Sequence, residues 1–157
     1  LPAITYWLMG SLSFSTSSIV WNLTIPMLGG ILILIFFSKY LNALSLGDEE
    51  AKALGINTKL IKLIIIIVAT LISALSVILA GIIGWIGLII PHITRLLFGA
   101  DNKVILPMSA LIGAIFLLIV DNTSKLIFSF EIPIGIVTAI IGIPIFIFVL
   151  KNAKKGF

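Results

Sequence analysis

Long apolar stretches alternate with shorter polar ones along this chain. Positions 19–38, 63–80, 104–120 and 133–150 are each apolar almost throughout. At about 1.5 Å of rise per helical residue, each is long enough to cross or nearly cross the ~30 Å hydrocarbon core of a bilayer. The first is interrupted only by Asn22, Thr24, Pro26, Gly29 and Gly30, small or polar breaks that suit a helix facing other helices. Positions 88–98 form a fifth apolar stretch, too short to cross alone and carrying Pro91, His92 and Arg95. This pattern predicts a short half-helix buried among its neighbours. Between the stretches, 39–62 holds four lysines, the consecutive acids Asp48, Glu49 and Glu50, and Asn42, Asn57 and Thr58, and is expected to be an aqueous loop. Gly81, Gly84 and Gly87 follow the second span at three-residue spacing, 99–103 is polar, and 121–131 is a mixed connector.

The expected fold is all-α and integral to the membrane, a polytopic helical bundle of about four full spans plus one half-helix. No internal repeat, soluble domain or flexible linker stands out. Positions 1–157 therefore read as a single transmembrane domain, with 44–58 as a loop within it.

Composition agrees: 61% of the 157 residues are hydrophobic and 10% charged, far below the quarter usual in soluble domains. Mean hydropathy is +1.33. Without cysteine, disulfides, thiolate catalysis and sulfur-ligated metals are excluded within the chain. The formal charge of +4 comes from lysines spread through loops, which fits membrane charge asymmetry better than nucleic acid. The chain starts at Leu1 without a secretory signal pattern, so the expectation is a piece of a longer protein.

Orientation follows from the basic residues. With the C-terminus cytoplasmic, alternation puts 39–62 and 99–103 inside and leaves 1–18, 81–87 and 121–133 outside. Nine of the ten basic residues then lie on or toward the inside, and Lys125 alone lies outside. The positive-inside rule requires this asymmetry.

The loop carries the most chemistry. Ser45 is expected to cap a short helix with Asp48, Glu49 and Glu50 in its first turn, where the helix dipole favours anions, and Gly55 is expected to stop it. Leu46, Ala51 and Leu54 would be available to one surface. Two readings stand: a capped helix lying on the bilayer, or a dock for a protein partner. An acidic first turn suits anionic lipid headgroups poorly.

Four blocks occur in order: LGDEEAKALGI, AGIIGWIGLIIPHITRLLFGAD, LPMSALIGA and EIPIGIVTAIIGIPIFIFVL. In this order and spacing they resemble the C-terminal half of the FecCD/BtuC-type permeases, the ABC-importer family that takes up iron-siderophores, haem and vitamin B12. The similarity runs from Trp7 onward. It implies half of a ten-helix permease, in the bacterial plasma (inner) membrane, working as a homodimer or a heterodimer of related permeases. It implies a separate ATP-binding subunit that uses the ATP, a periplasmic or lipoprotein substrate-binding protein, and no cofactor held by this chain. By the same resemblance, Gly47, Asp48, Glu49, Glu50, Ala51, Leu54 and Gly55 match the coupling helix that docks on the ATPase. Lys125 matches a basic position that pairs with the binding protein. Residue by residue, Lys125 also reads as a snorkelling interfacial lysine, or as a local partner of Asp121 or Glu131.

His92 is the sole histidine. A metal cage needs three or four donors, so no metal site is expected and an interhelical hydrogen bond is the default. Arg95 must reach the inner interface or be paired, and Pro91 is expected to break the helix there. Gly84 and Gly87, with Pro91, His92 and Arg95, are candidates for a pathway or half-helix. Close packing by small residues is the alternative for Gly81, Gly84, Gly87, Gly113, Gly135 and Gly142. Tyr6, Trp7, Trp21 and Trp85 fit an outer aromatic belt.

The chain has no G-x-x-x-x-G-K-[ST] phosphate loop, so any ATP is used elsewhere. Its six acids fall in loops or at span edges, which weighs against a proton- or sodium-coupled carrier. A fragment of a secondary transporter or channel remains the second reading. A small structural membrane protein is the third.

Overall fold

A computed structural model describes residues 2–12, 15–127 and 132–153. The described residues form seven helices: α1 (Pro2–Leu8), α2 (Ser17–Leu44), α3 (Asp48–Ala53), α4 (Thr58–Ala80), α5 (Ile86–Phe98), α6 (Asn102–Ile127) and α7 (Ile134–Ala153). Among them α2, α4 and α6 are long and apolar enough to cross a membrane. α7 is an apolar helix of 20 residues, about 30 Å, whose apolar part covers Ile134–Ile147, so the expected count of about four full spans is met by three and this shorter one. α5, with 13 residues or roughly 20 Å, is the half-helix.

Every span outruns its apolar stretch. α2 continues through Lys39 to Leu44, α4 starts at Thr58, and α6 runs on through the expected connector to Ile127. The aqueous loop therefore shrinks to 45–57, and Lys125 lies in the last turn of α6. Glu131 lies outside the described residues. Lipid contact ends where the side chains turn polar, but a helix ends only where its backbone groups find other partners. At the start of α4 that partner is Asn57, whose side-chain oxygen accepts the Leu60 N–H at 3.1 Å. At its end Gly81 takes φ +67 and closes the helix by donating to the Val77 carbonyl.

Pro91 does not break α5, which continues to Phe98. Its ring removes one N–H and so leaves the Gly87 carbonyl without its helical donor, a loss the surrounding bundle accommodates.

α2 packs on α4 and α6, α5 on α6 and α7, and α6 on α7. Close approach needs Gly30, where a Cβ would sit 2.8 Å from Ile72 Cγ1 of α4. The small interior is built from Ile61, Ala80, Ile89, Ile90, Ile105, Val120 and Ile134. Two buried hydroxyls are satisfied within their own helices, Thr94 donating to the Ile90 carbonyl and Thr138 to that of Gly135, while buried Ser124 donates outside α6 to the Ile132 carbonyl. The outside is strongly apolar: Ile25 is 77% and Leu126 83% exposed, a surface that lipid or further helices must cover.

Two sets of contacts fix which loops share an end. Asn42 bonds to Asp101 and Asn102, so the α2–α4 loop and the α5–α6 corner lie together. At the other end Ser11 N–H donates to the Ala80 carbonyl, and Ile134 N–H to that of Gly10. These contacts put 39–62 beside 99–103, as the charge counting expected.

Candidate functional site

At the end that carries α3, the chain leaves α2 through a tight turn. Ser45 N–H donates to the Leu41 carbonyl, Leu46 N–H to Ala43 and Gly47 N–H to Leu44. The expected Ser45 cap is absent: the residue before α3 is Gly47, and the Ser45 hydroxyl donates back to the Asn42 carbonyl at 2.6 Å. Gly47 has φ +127, a conformation that residues with a Cβ rarely adopt, so this joint favours glycine.

α3 is tied to α4 by an ion pair. Asp48 offers both carboxylate oxygens to Lys62 Nζ of α4, each at 2.6 Å. This hydrogen bond, ahead of the Coulomb attraction of Lys62 and Lys52, holds the Asp48 carboxyl below its usual range. Gly55 stops α3 as expected, at φ +78, with Gly55 N–H donating to Lys52 and Ile56 N–H to Ala51. That paired pattern is a Schellman motif.

Ala51 corrects the expected surface. It is fully buried, so it seats α3 against the bundle and presents nothing outward. The outward face is formed by Leu46 and Leu54, 68% and 66% exposed, with exposed Glu49, Glu50 and Lys52 around them. Two bare leucines ringed by charge are suited to a protein groove.

Beside this loop sits a cluster that sequence reasoning treated only as loop polarity. Asn42 Nδ2 donates to Asp101 Oδ1 at 2.6 Å, while Asn42 Oδ1 accepts from Asn102 N–H at 2.9 Å and from Asn102 Nδ2 at 2.8 Å. The carboxylate fixes the amide's orientation, since a flipped oxygen would face it. Asp101 also accepts the Lys103 N–H at 2.9 Å, and these two bonds, Asn42's first, hold its carboxyl below the usual range.

The opposite end is held largely by backbone, with Ser15 and Ser124 hydroxyls donating to the Leu79 and Ile132 carbonyls. Met9 and Gly10 carbonyls accept from Gly135 and Ile134 N–H. A Cβ on Gly81 would overlap the Trp7 carbonyl, one on Gly135 the Met9 carbonyl, and one on Gly10 would come 2.9 Å from the Ile82 carbonyl. Close packing thus accounts for Gly81 and Gly135, and also for Gly142, which abuts Ile89. Gly113 meets only Ile90, at 3.7 Å, while Gly84 and Gly87 face open space. Gly84 lines a groove of about 410 Å³ beside α7, whereas Gly87 lines a separate apolar cavity of about 480 Å³ among α2, α4 and α5. The candidate pathway residues are therefore not gathered at one site.

Lys125 pairs locally, donating to Asp121 Oδ2 at 2.8 Å one turn back. Beside the pair is a cavity of about 10 Å³, room for roughly one water, lined by Tyr6, Ser11, Ser124 and Pro133 among others. His92 stacks on Phe146 of α7 at 6.2 Å, so its interhelical contact is aromatic instead of the expected hydrogen bond. Arg95 is exposed in the last turn of α5, where the helix dipole favours a cation. Trp85 and Trp21 are exposed near the end opposite α3. Among the described residues no three His, Asp or Glu side chains gather as a metal site.

Long apolar helices, a half-helix, a glycine-knotted corner and a short acidic helix at the opposite end make a polytopic membrane protein. The chain belongs to the FecCD transport family, whose profile matches residues 1–152. It is 41% identical over 156 residues to the molybdate import system permease protein MolB of Haemophilus influenzae, covering 99% of this chain and 46% of that one. It is 41% identical over 153 residues to the Fe(3+)-citrate import system permease protein YfmD of Bacillus subtilis, covering 97% and 46%. A solved transporter described as of the metal-chelate ABC type, in an inward-facing conformation, superposes with a TM-score of 0.89 at 42% identity, covering 97% of this chain and 49% of the other. The chain thus spans about half the length of these relatives.

Proposed function

We propose that this chain supplies half of the membrane-spanning subunit of an ATP-driven importer of metal chelates or related metal-bearing anions. The observation that carries the reading is α3: a six-residue acidic helix held firmly between the ends of α2 and α4, with Leu46 and Leu54 bare, in a chain matched to permeases along nearly its whole length. α3 is the dock for a separate ATP-hydrolysing subunit. The end bearing α3 and the C-terminus are cytoplasmic, in keeping with the basic residues on that side. ATP is used by the partner, and this chain holds no cofactor of its own.

The opposite end receives a substrate-binding protein. There Lys125, already satisfied by Asp121, contributes orientation in docking more than affinity. A second permease, identical or related, completes the pathway. The relatives' names include molybdate and Fe(3+)-citrate, so the cargo proposed is a class of metal species and not one chelate.

The test is co-purification of the assembled permease in detergent with its ATPase subunit, comparing wild type with Glu49→Arg plus Leu54→Asp. Capture by wild type and loss in the folded variant is the expected result. A folded wild type that binds no ATPase removes the reading and leaves the carrier or channel alternative in front.

A further inference from the structure

The turn between α2 and α3 is a continuation of α2, because Ser45, Leu46 and Gly47 each donate a backbone hydrogen bond into its last turn. The Ser45 hydroxyl adds a bond to the carbonyl of Asn42. Whatever displaces α3 therefore pulls on the turn that carries Asn42. The side chain of Asn42 crosses to α6, where its oxygen accepts the Asn102 N–H, one of the N–H groups that the first turn of any helix leaves without an internal partner. Asn42 thus caps α6 from another helix, while Asp101 caps the next position from within. Separating α2 from α6 strips a donor on α6 and the Asp101 carboxylate at the same time.

We propose that Asn42 is a positioning residue that passes displacement of α3 to α6. α6 then carries it along 26 residues, about 39 Å, to the end where Asp121, Lys125 and Ser124 meet the segment entering α7. The proposal rests on α3 being the ATPase dock. It adds the route by which that dock reaches the outer mouth. The parallel link from α3 to α4, Asp48 to Lys62, is a half-exposed ion pair that water and salt weaken. The Asn42 network also has an exposed bond, to Asp101, but its two bonds from Asn102 are partly buried, and it joins an amide used as donor and acceptor at once to a helix N-terminus.

The test uses the assembled transporter in lipid nanodiscs with its ATPase subunit. A single reporter thiol, Asn122→Cys, sits at an exposed polar position near the outer end of α6 in a chain that otherwise holds no cysteine. The readout is the ratio of its labelling rates by a membrane-impermeant maleimide with and without ATP. Three changes are compared with the reporter alone: Asn42→Asp, Asp101→Asn, and both together. The first sets two carboxylates against each other; the pair together exchanges donor and acceptor and rebuilds the bond.

The expected result is an ATP-dependent change of about fivefold or more with the reporter alone. Asn42→Asp abolishes it with the ATPase still bound and hydrolysing, and the exchanged pair restores it. An unchanged response in Asn42→Asp, or a pair that fails to restore it while the complex stays assembled, overturns the proposal. Loss of ATPase binding in Asn42→Asp alone also overturns it, by making the cluster a support of the dock. Failure of the reporter protein itself to bind the ATPase removes the function proposed above, a different outcome from any of these.

Discussion

The two ends of the bundle are fastened by different chemistry. At the α3 end the ties are side chains: Asn42 to Asp101 and Asn102, and Asp48 to Lys62. At the other end the close ties are backbone groups in contact where glycine leaves no Cβ, with Trp7, Met9 and Gly10 carbonyls against Gly81, Gly135 and Ile134, beside two hydroxyls that donate to carbonyls, Ser15 to Leu79 and Ser124 to Ile132. Side-chain ties can be exchanged, titrated and broken singly. A backbone knot allows none of these, and so resists movement. A transporter that takes its stroke at one end and keeps its frame at the other has use for both kinds.

The largest test of this contrast is Gly81→Ala. With φ +67 and the Trp7 carbonyl in the way, it should cost about 3 kcal/mol or more, read as a lowered midpoint of thermal unfolding in detergent. Gly135→Ala, which meets the Met9 carbonyl, should cost about 2 kcal/mol. Gly84→Ala, with nothing within 4 Å, should stay within about 0.5 kcal/mol of wild type. If all three behave alike, the knot is not what holds that end.

Asn42→Ala comes next, with a loss of about 1 kcal/mol, the usual worth of a helix cap. Hydrogen exchange would sharpen the result, with protection lost at Asn102 and Lys103 and retained at Ile134 and Gly135.

The smallest effect is that of pH. Asp48 and Asp101 have carboxyls held below their usual range, so the stability they add is fully present above the ordinary carboxylate pKa of about 3.9 and is lost as pH falls through their lower folded values. Unfolding midpoints should be flat with respect to these two groups from about pH 5 to 8 and fall only in stronger acid. Asp48→Asn should flatten part of that acid limb. An equal acid response in exchange at Gly10 and Gly135 would erase the distinction between the ends.

Spans were legible in the sequence because lipid demands long apolar runs, and α2, α4, α5, α6 and α7 all lie where those runs are. Their ends were not, since Lys39 to Leu44 and Asp121 to Ile127 are helical for backbone reasons that hydropathy does not register. Gly55 was readable as a stop because a left-handed residue after a helix calls for glycine. Gly47 was hidden behind Ser45, which has the chemistry of a cap but spends its hydroxyl on Asn42. Ala51 looked like part of an apolar face, and only the packing of α3 shows it turned inward. Asn42 carried no local signal at all: its partners lie 59 and 60 positions away, and a lone asparagine in a polar stretch resembles any other.

The glycine knot also dictates an order of assembly. The Met9 and Gly10 carbonyls accept from Gly135 and Ile134, more than a hundred residues later in synthesis. As helices enter the bilayer one after another, the α3 end is complete once α6 is in place, whereas the knot waits for α7. Until then these two carbonyls have only water or lipid headgroups to satisfy them, so this corner cannot close before α7 is in place.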